Sequence, residues 1–475
     1  MALRITNARW YPKYHISTPG GWCNDPNGFC FYKGQAHLFY QYHPHSAQWG
    51  PMHWGHVVSD DLIRWKHLPI ALAPTNDYDR DGCFSGSGIE KDGRLYLFYT
   101  GNIPNEQNQS MAFSDDGIHF EKFEHNPVIV APDDKDVDIF RPDFRDPKVW
   151  LHGDTYYMVI GARTKDRMRG QILIYESKNL CDWEFKSIAA RAEGNQGENW
   201  ECPNFASVEG KDVLILSPQG IKRVGNMYRN LFQSGYFVGR LDYETGIFTH
   251  GDFELLDYGF DFYAPQVTKI PDGRTIMIGW LQSWFSVEVE QEDGWAGLMT
   301  VPREVHVKNG KVVTPPVKEL AGLRLSEKSY DNLVFYEDTK FDGVEGETGE
   351  LVMEIDLTET KAFEIDLRVG EEEKSVITCD NAIHLFKFNR DKAGAGGDGE
   401  REVKLPPSDK MKLQIFLDRS SIEIFINDGE YVLSNRVYPR ADSTGIVFMP
   451  KDGAFKIDSL KFYTLGEGIP QPVVD

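Results

Sequence analysis

The chain repeats itself at intervals of about sixty residues. In each of five segments an apolar stretch leads into a turn with a glycine, and a strand of aromatic and β-branched residues follows. The intervals between successive turn glycines are 59, 60, 57 and 63 residues, and the glycines are Gly34, Gly93, Gly153, Gly210 and Gly273. A period of this length predicts an array of repeated supersecondary units.

Each repeat has room for about four strands. Segment 59–74 resembles segment 114–132, and a weaker copy occurs at 177–185, so the region after each hairpin repeats as well. Four-stranded units that follow one another close most readily into a ring, because radial packing hides the sheet edges. The sequence therefore predicts an all-β protein with a five-bladed β-propeller. A β-sandwich with coincidental spacing is the alternative.

The regular period ends near Val305. Two prolines and then a short helical pattern predict a linker at 307–328, which separates a propeller domain at 1–306 from a second domain at 329–475. Alternating strands recur in the second domain without the sixty-residue period, and they favour a β-sandwich. The glycine-rich segment 391–400 is expected to be a flexible surface loop.

The charge balance limits the kind of partner. With 51 Lys and Arg against 73 Asp and Glu, the formal net charge is −22, which repels nucleic acid and anionic membranes. We therefore expect a small neutral substrate and neither a nucleic acid nor a membrane partner. Neither a signal peptide nor a membrane-spanning run is recognisable, which predicts a cytoplasmic protein. The sequence does not indicate an oligomeric state.

No metal ion or other cofactor is predicted. The histidines His43, His45, His53 and His56 are loosely spaced, and no cysteine or acid joins them at a metal-ligand interval, so structural roles are expected. The six cysteines have no metal-binding spacing either and are expected to be reduced. They are Cys23, Cys30, Cys83, Cys181, Cys202 and Cys379.

Three acidic residues occupy one phase of the repeat. Asp25, Asp146 and Glu201 precede their turn glycines by 9, 7 and 9 residues. Ser85 and Tyr263 precede theirs by 8 and 10 residues. A propeller presents the starts of its innermost strands to one central funnel, so these side chains are predicted to meet there.

Each acidic motif also has a structural explanation of its own. The segment 25–28, DPNG, is a favourable turn sequence, and Asp146 could form an ion pair with Arg145. Glu201 lies between Trp200 and Cys202, an apolar setting in which an ionised carboxylate is costly. On this basis Glu201 is expected to carry the transferable proton, while Asp25 and Asp146 stay ionised.

The expected funnel lining suits a sugar. Sugar rings stack on aromatic side chains, and their hydroxyls bond to amides such as those of Asn24 and Gln41. Three carboxylates in such a lining point to glycoside chemistry. The aromatic residues expected there are Trp22, Trp49, Trp54, Phe84 and Trp280.

Three motifs together carry a specific resemblance. They are WCNDPNG at 22–28, FRDPKV at 144–149 and WECPN at 200–204. With them, the chain closely resembles glycoside hydrolase family 32, the invertase and sucrose-6-phosphate hydrolase group, over nearly its whole length. One departure is Cys23, which stands where the family normally has methionine.

The resemblance implies a five-bladed propeller joined to a β-sandwich, and retaining hydrolysis through a covalent fructosyl-enzyme. By position, Asp25 matches the nucleophile, Asp146 the transition-state stabiliser and Glu201 the acid and base. Retention requires the carboxyl groups of Asp25 and Glu201 to lie roughly 5–5.5 Å apart. The substrate-binding residues expected from the lining and the resemblance are Trp22, Asn24, Gln41, Trp49, Phe84, Ser85, Arg145 and Trp280.

The sequence leaves the substrate open among sucrose, sucrose 6-phosphate and short fructans. Lys222, Arg223 and Arg229 follow the third motif and could meet a phosphate, or they could be surface charges. A related propeller glycosidase that acts on arabinose or xylose chains, and a non-catalytic sugar-binding protein, are the rival interpretations.

Overall fold

The computed structural model describes residues 2–133 and 135–474, and in this part of the chain regular structure is almost entirely β. Two short 3-10 helices, Val289–Asp293 and Lys318–Leu323, interrupt the strands. No described helix is long and apolar enough to cross a membrane. The all-β prediction is confirmed.

Five antiparallel sheets follow one another along residues 21–280, and each begins with one of the predicted repeat hairpins. Their strands, sheet by sheet, are β1 (Gly21–Tyr32), β2 (Gln35–His43), β3 (His53–Ser59) and β4 (Lys66–Leu72); β5 (Cys83–Lys91), β6 (Arg94–Ile103), β7 (Glu106–Ser114), β8 (Glu121–Lys122) and β9 (Ile129–Val130); β10 (Phe144–His152), β11 (Thr155–Arg163), β12 (Gly170–Ser177) and β13 (Glu184–Arg191); β14 (Asn199–Val208), β15 (Lys211–Gln219), β16 (Gly235–Asp242), β17 (Ile247–His250) and β18 (Glu254–Leu255); β19 (Tyr263–Lys269) and β20 (Thr275–Trp280).

Glycine turns join the first two strands of these sheets. In the pairs 33–34, 92–93 and 209–210 both residues have positive φ, and the second is a repeat glycine. Two-residue hairpin turns need this backbone, because its twist matches that of the flanking strands, and glycine adopts it at no steric cost. The local chemistry of the turns therefore fixes where each repeat begins its return strand.

The first strands of the five sheets contact one another in a closed cycle. Strand β1 touches β5 and β19, β5 touches β10, β10 touches β14, and β14 touches β19. Apolar clusters fill the space between neighbouring sheets, such as Phe39 with Leu97 between the first and second. Because the strands share one centre, the start of every first strand opens onto the same region.

The remaining strands close the ring and build a second unit. A two-residue strand at 295–296 pairs in parallel with Gly21 and Trp22 of β1. The strands are β21 (Trp295–Ala296), β22 (Arg303–Glu304), β23 (His306–Lys308), β24 (Lys311–Val313), β25 (Arg324–Phe335), β26 (Gly349–Asp356), β27 (Ala362–Val369), β28 (Lys374–Asp380), β29 (Leu385–Lys392), β30 (Glu400–Lys404), β31 (Lys410–Asp418), β32 (Ser421–Ile426), β33 (Tyr431–Arg436), β34 (Gly445–Pro450) and β35 (Phe455–Leu465).

Two sheets of the second unit enclose one apolar core. Their strand orders are β25-β35-β26-β31-β32-β33 and β30-β29-β28-β27-β34. Leu351 and Leu413 of the first sheet and Ile365 and Phe448 of the second belong to the same buried cluster. The predicted linker at 307–328 is itself ordered, because it contains most of the β23–β24 hairpin, the 3-10 helix and the first residues of β25.

The segment 391–400 differs from its prediction. It lies at the surface, but its backbone is attached to Tyr438 through a parallel bridge from Gly394. A Cβ on Gly394 would lie 1.9 Å from the carbonyl oxygen of Tyr438, so glycine is needed for close approach. The expected flexible loop is therefore a packed one.

Candidate active site

All five first strands carry an irregularity at the phase where the acidic residues were predicted to meet. The strand registers shift between Cys23 and Pro26, Phe84 and Gly86, Arg145 and Lys148, Glu201 and Asn204, and Tyr263 and Gln266. Bulges of this kind redirect side chains and are common beside active sites. The predicted shared phase is confirmed, but the DPNG segment is not a turn, because it lies within β1.

Three of these irregularities use the same backbone device. Asp146, Cys202 and Ala264 have φ values of 66°, 48° and 49°, and a proline follows each of them. The left-handed region costs a residue with a Cβ roughly 1–2 kcal/mol. Such strain persists only where the surrounding structure holds it in place, and it concentrates at functional sites.

Asp25 is buried and hydrogen-bonded on both oxygens. The Ser85 hydroxyl donates to Oδ2 at 2.6 Å, and the Asn24 amide donates to Oδ1 at 3.1 Å. Asn24 is itself fixed, because its Oδ1 accepts a bond of 2.8 Å from the Trp22 indole. Burial raises the pKa of Asp25 above its ordinary value; the bond from Ser85 opposes this rise, and the charge of Glu201 adds to it.

Cys202 connects two of the acids. Its thiol lies 3.4 Å from Oδ2 of Asp25 and 3.5 Å from Oδ2 of Asp146, and its backbone N–H donates to the latter atom at 2.8 Å. Burial raises the pKa of Asp146 to about 7; Arg145 opposes the rise, and the charges of Glu201 and Asp25 add to it. Burial thus works against the ionised form that was expected of Asp146, while Arg145 favours it.

Glu201 lies in a polar setting. Its Oε1 accepts bonds of 3.1 and 2.7 Å from Arg145, and its Oε2 accepts bonds of 2.8 Å from Gln219 and 2.5 Å from Tyr263. The predicted apolar environment belongs to its neighbour Trp200, which is fully buried. The polar partners come from other strands, so the sequence around Glu201 did not reveal them.

The ion pair that the sequence left open between Arg145 and Asp146 does not form. The guanidinium of Arg145 donates to Asp143 at 2.5 Å and to Glu201, and no hydrogen bond to Asp146 is found among the described residues. The register shift between Arg145 and Lys148 and the positive φ of Asp146 direct the two side chains to different partners. Arg145 therefore links Glu201 to a fourth carboxylate, that of Asp143, and acts on Asp146 through its charge alone.

Aromatic side chains form one wall of the site. The ring of Trp22 lies 6.1 Å from Trp280 and 6.4 Å from Trp284, and Phe84 packs against the same cluster. Trp49 is half exposed, with its ring 6.0 Å from Phe84.

Two predicted contacts lie apart from that aromatic wall. Gln41 is buried and donates to the carbonyl of Cys83 at 3.0 Å. Trp54 was expected in the funnel, but it is fully buried in the core between the first two sheets, and its indole donates to the backbone of Phe84. Trp54 therefore supports Phe84 from the core and does not line the site.

Sequence reasoning missed Gln219, Phe232 and Trp284. Phe232 and Trp284 pack against the wall from loops before β16 and after β20, outside the phase that located the acids. Gln219 ends β15, next to a strand that bears an acid. Tyr263 was located by its phase and Cys202 by its motif, but no role was predicted for either residue.

The histidines do not form one group. The ring centre of His45 lies 6.2 Å from that of His43 and 6.1 Å from that of His53. His56 instead forms a hydrogen bond of 3.0 Å with His37 in the core. In residues 2–133 and 135–474 no cluster of three or more His, Cys, Asp or Glu could hold a metal ion. The six cysteines have free thiols.

Residues 15–316 match the glycosyl hydrolases family 32 N-terminal domain, and residues 319–464 match the glycosyl hydrolases family 32 C terminal. The chain belongs to glycoside hydrolase family 32. Its resemblance to that family is thereby confirmed, and the chain is an enzyme of the glycoside hydrolase class.

Several relatives and solved structures are similar over nearly the whole chain. A sucrose-6-phosphate hydrolase of Zymomonas mobilis is 40% identical over 97% of this chain and 93% of its own length. A raffinose invertase of Escherichia coli is 40% identical over 93% of each chain. A mutant Bombyx mori GH32 β-fructofuranosidase in complex with sucrose is 36% identical with a TM-score of 0.87, covering 98% of this chain and 96% of that one.

Proposed function

We propose that the enzyme hydrolyses the terminal, non-reducing β-D-fructofuranoside bond of sucrose or a close relative, with retention of configuration. The observation that carries this proposal is the meeting of carboxylates from three separate sheets, with the Cys202 thiol in contact with Asp25 and Asp146 and Glu201 as the preceding residue. The relatives named above act on related sugars, which supports a fructoside substrate.

In the proposed reaction Asp25 is the nucleophile. Its carboxylate attacks the anomeric carbon of the fructosyl group while Glu201 gives a proton to the departing glycosidic oxygen, so a fructosyl ester forms and the first sugar leaves. Glu201, now a carboxylate, takes a proton from water, whose oxygen attacks the same carbon and releases Asp25. Asp146 stabilises the positive charge that develops on the sugar and accepts hydrogen bonds from the sugar hydroxyls.

Hydrogen bonds hold Asp25 and Glu201 in place. Ser85 and Asn24 fix both oxygens of Asp25, so the attacking atom needs little reorganisation. Arg145 fixes one oxygen of Glu201, while Gln219 and Tyr263 fix the other.

A wider set of residues is proposed to bind the sugar. The aromatic wall would stack on the apolar faces of its rings, and the polar groups beside the acids would bond to its hydroxyls. The proposed contacts are Trp22, Asn24, Gln41, Trp49, Phe84, Ser85, Arg145 and Trp280. We further propose that each of the five sheets is one blade, that the domains are 1–306 and 329–475 with the linker at 307–328, and that the enzyme acts in the cytoplasm.

The test is release of glucose and fructose from sucrose, with NMR detection of the anomer of fructose that appears first. We expect the β anomer first, and Asp25→Ala should keep the fold but lose nearly all turnover. Asp115→Ala, on an exposed carboxylate, is the matched control. First appearance of the α anomer would refute the nucleophile role, and release of pentoses alone from arabinose or xylose chains would refute the fructoside substrate. Binding without turnover would indicate a sugar-binding protein.

Sucrose 6-phosphate is a second candidate substrate, because a group of arginines adjoins the loop after β15. Arg229 and Arg401 line one small cavity, and the guanidiniums of Arg390 and Arg401 lie 3.8 and 3.9 Å from the centre of the Phe260 ring. Burial lowers the pKa of Arg401 to about 10, and the charges of Arg229, Arg390 and Arg223 contribute to this. Lys222 is exposed, and its backbone is bonded to Asn195. Comparison of kcat/KM for sucrose and its 6-phosphate, in the native enzyme and Arg229→Met, tests this candidate. A phosphate preference that disappears in the variant would support it.

A further inference from the structure

A second cavity lies at the other end of the five first strands. Its volume is about 440 Å³, within the range of small-molecule sites. The residues that line it follow the acidic positions along the strands, as Trp150 follows Asp146 and Phe205 follows Glu201 by four residues. At about 3.3 Å per strand residue, its centre is roughly 10–20 Å from the acids. None of the three acids lines it.

The lining of this cavity includes a buried amine, that of Lys148. The side chain is buried, and its Nζ donates to the carbonyl of Val267 at 2.6 Å. An ammonium group has three N–H donors, so two remain for other acceptors. No carboxylate among the described residues forms an ion pair with it, and burial lowers the pKa of Lys148 to about 8. A ligand oxygen would offset the cost of burying this amine.

One wall of the cavity is a rigid aromatic surface. The Trp150 indole donates to the hydroxyl of Tyr243 at 3.1 Å, and the Tyr243 ring stacks on His152 at 3.5 Å with an interplanar angle of 4°. Phe205 lies 5.5 Å from Trp150 and extends the wall. Rings that are already fixed lose little conformational entropy when a sugar face stacks on them.

The charges around the cavity balance. Lys148 and Lys269 are opposed by Glu90 and Asp212, and the hydroxyls of Ser207, Thr268 and Thr275 add neutral donors and acceptors. A balanced lining disfavours a dianion such as phosphate and suits a neutral ligand with several hydroxyls. We propose that this cavity is a second carbohydrate site for a neutral mono- or disaccharide, with Lys148 donating to its hydroxyl oxygens. The proposal does not depend on the reaction at the acidic end.

Acylation of Lys148 in the full-length enzyme measures occupancy directly. The protein is treated with acetic anhydride with and without D-fructose or D-glucose, and the rate at each lysine is read by mass spectrometry. At a sugar concentration ten times the Kd, mass action predicts about tenfold slower acylation of Lys148. The exposed Lys361 should react at one rate throughout and is the internal control. The proposal would be overturned if neither D-fructose nor D-glucose changed the rate of acylation at Lys148.

Two variants and a second probe separate the cavity from the acidic end. Ser207→Trp, at an exposed residue of the lining, should fill the cavity, abolish the protection and leave sucrose hydrolysis unchanged. Protection that persists in this variant would place the sugar elsewhere and refute the site. Lys148→Met should weaken sugar binding, measured by isothermal titration calorimetry in the Asp25→Ala background, and unchanged affinity would refute the role of Lys148. Protection by inorganic phosphate without protection by either sugar would refute the neutral ligand.

Discussion

Arg145 donates two hydrogen bonds to the same oxygen of Glu201, at 3.1 and 2.7 Å. A guanidinium that holds an acid in this way sets the direction in which the acid presents its other lone pairs and its proton. The same arginine donates to Asp143, and Arg163 lies 2.6 Å from the other oxygen of Asp143. The position of Glu201 therefore depends on an ion-pair chain that begins on two other strands, β10 and β11.

Arg145→Lys should lower kcat for sucrose by about 100-fold, because a single ammonium cannot reproduce the paired bonds and a small misplacement of a catalytic acid is costly. The fold should be retained, as judged by circular dichroism. Arg94→Lys, in a surface pair with Asp115, is the matched control and should leave kcat unchanged. Native kcat in Arg145→Lys would show that this arginine does not position Glu201.

The pH dependence of activity should reflect the buried aspartates. The pKa of Asp25 is raised by burial, and that of Asp146 is raised to about 7, so the ionised forms disappear at higher pH than for a solvated aspartate. The thiol of Cys202 bonds to Asp25 and lowers its pKa. Cys202→Ala should therefore move the acidic limb of kcat/KM to higher pH and reduce kcat about tenfold. Cys202→Ser, which keeps a donor, should stay closer to the native profile; an unmoved limb in Cys202→Ala would contradict this role.

Acid stability should depend on the buried pair His37 and His56, whose Nδ1 and Nε2 atoms lie 3.0 Å apart. Burial lowers the pKa of His37 to about 4 and that of His56 below its ordinary value. The unfolded chain binds these protons near pH 6.5 and the folded chain does not, so stability falls as pH drops from about 6.5 to 4. His37→Phe should reduce that fall by roughly 3 kcal/mol, measured by urea unfolding across pH. His125→Phe, on an exposed ring, should leave it unchanged.

Arg303 should be essential for stability. Its fully buried guanidinium lies 2.6 Å from Glu423 in the second unit and 3.1 Å from Asp257 in the first. Arg303→Met leaves buried Asp257 without its cation and leaves Glu423 with its ion pair to His15, so we expect a loss of about 3–5 kcal/mol in the free energy of unfolding by urea. Arg440→Met, in an exposed pair with Asp442, should cost less than about 1 kcal/mol. Similar losses in both variants would show that burial of the Arg303 pairs is unimportant.

The repeat could be read from the sequence because its markers are local. A hairpin turn that contains a glycine with positive φ marks the end of the strand before it. Counting back from these glycines placed Asp25, Asp146 and Glu201 at one phase of the repeat. The residues of the DPNG segment suit both a turn and a bulged strand, and only pairing with β2 decides between them.

Long-range contacts explain the other differences. The partners of Glu201 are on β10, β15 and β19, so no local pattern joins them to it. Likewise the glycines of 391–400 indicated flexibility. The contact that orders them, between Gly394 and Tyr438, joins residues more than forty positions apart and could not be seen in the local sequence. In both places the residue types indicated that the position was special, but the neighbouring sequence did not indicate which distant segment makes the contact.

The parallel pairing of Trp295 and Ala296 with Gly21 and Trp22 has a consequence for biosynthesis. A ribosome delivers the two halves of this pairing far apart in time, since more than 270 residues separate them. The start of β1 therefore stays without this partner strand until the nascent chain has passed residue 296, and an early stop in translation before that point leaves that edge unpaired.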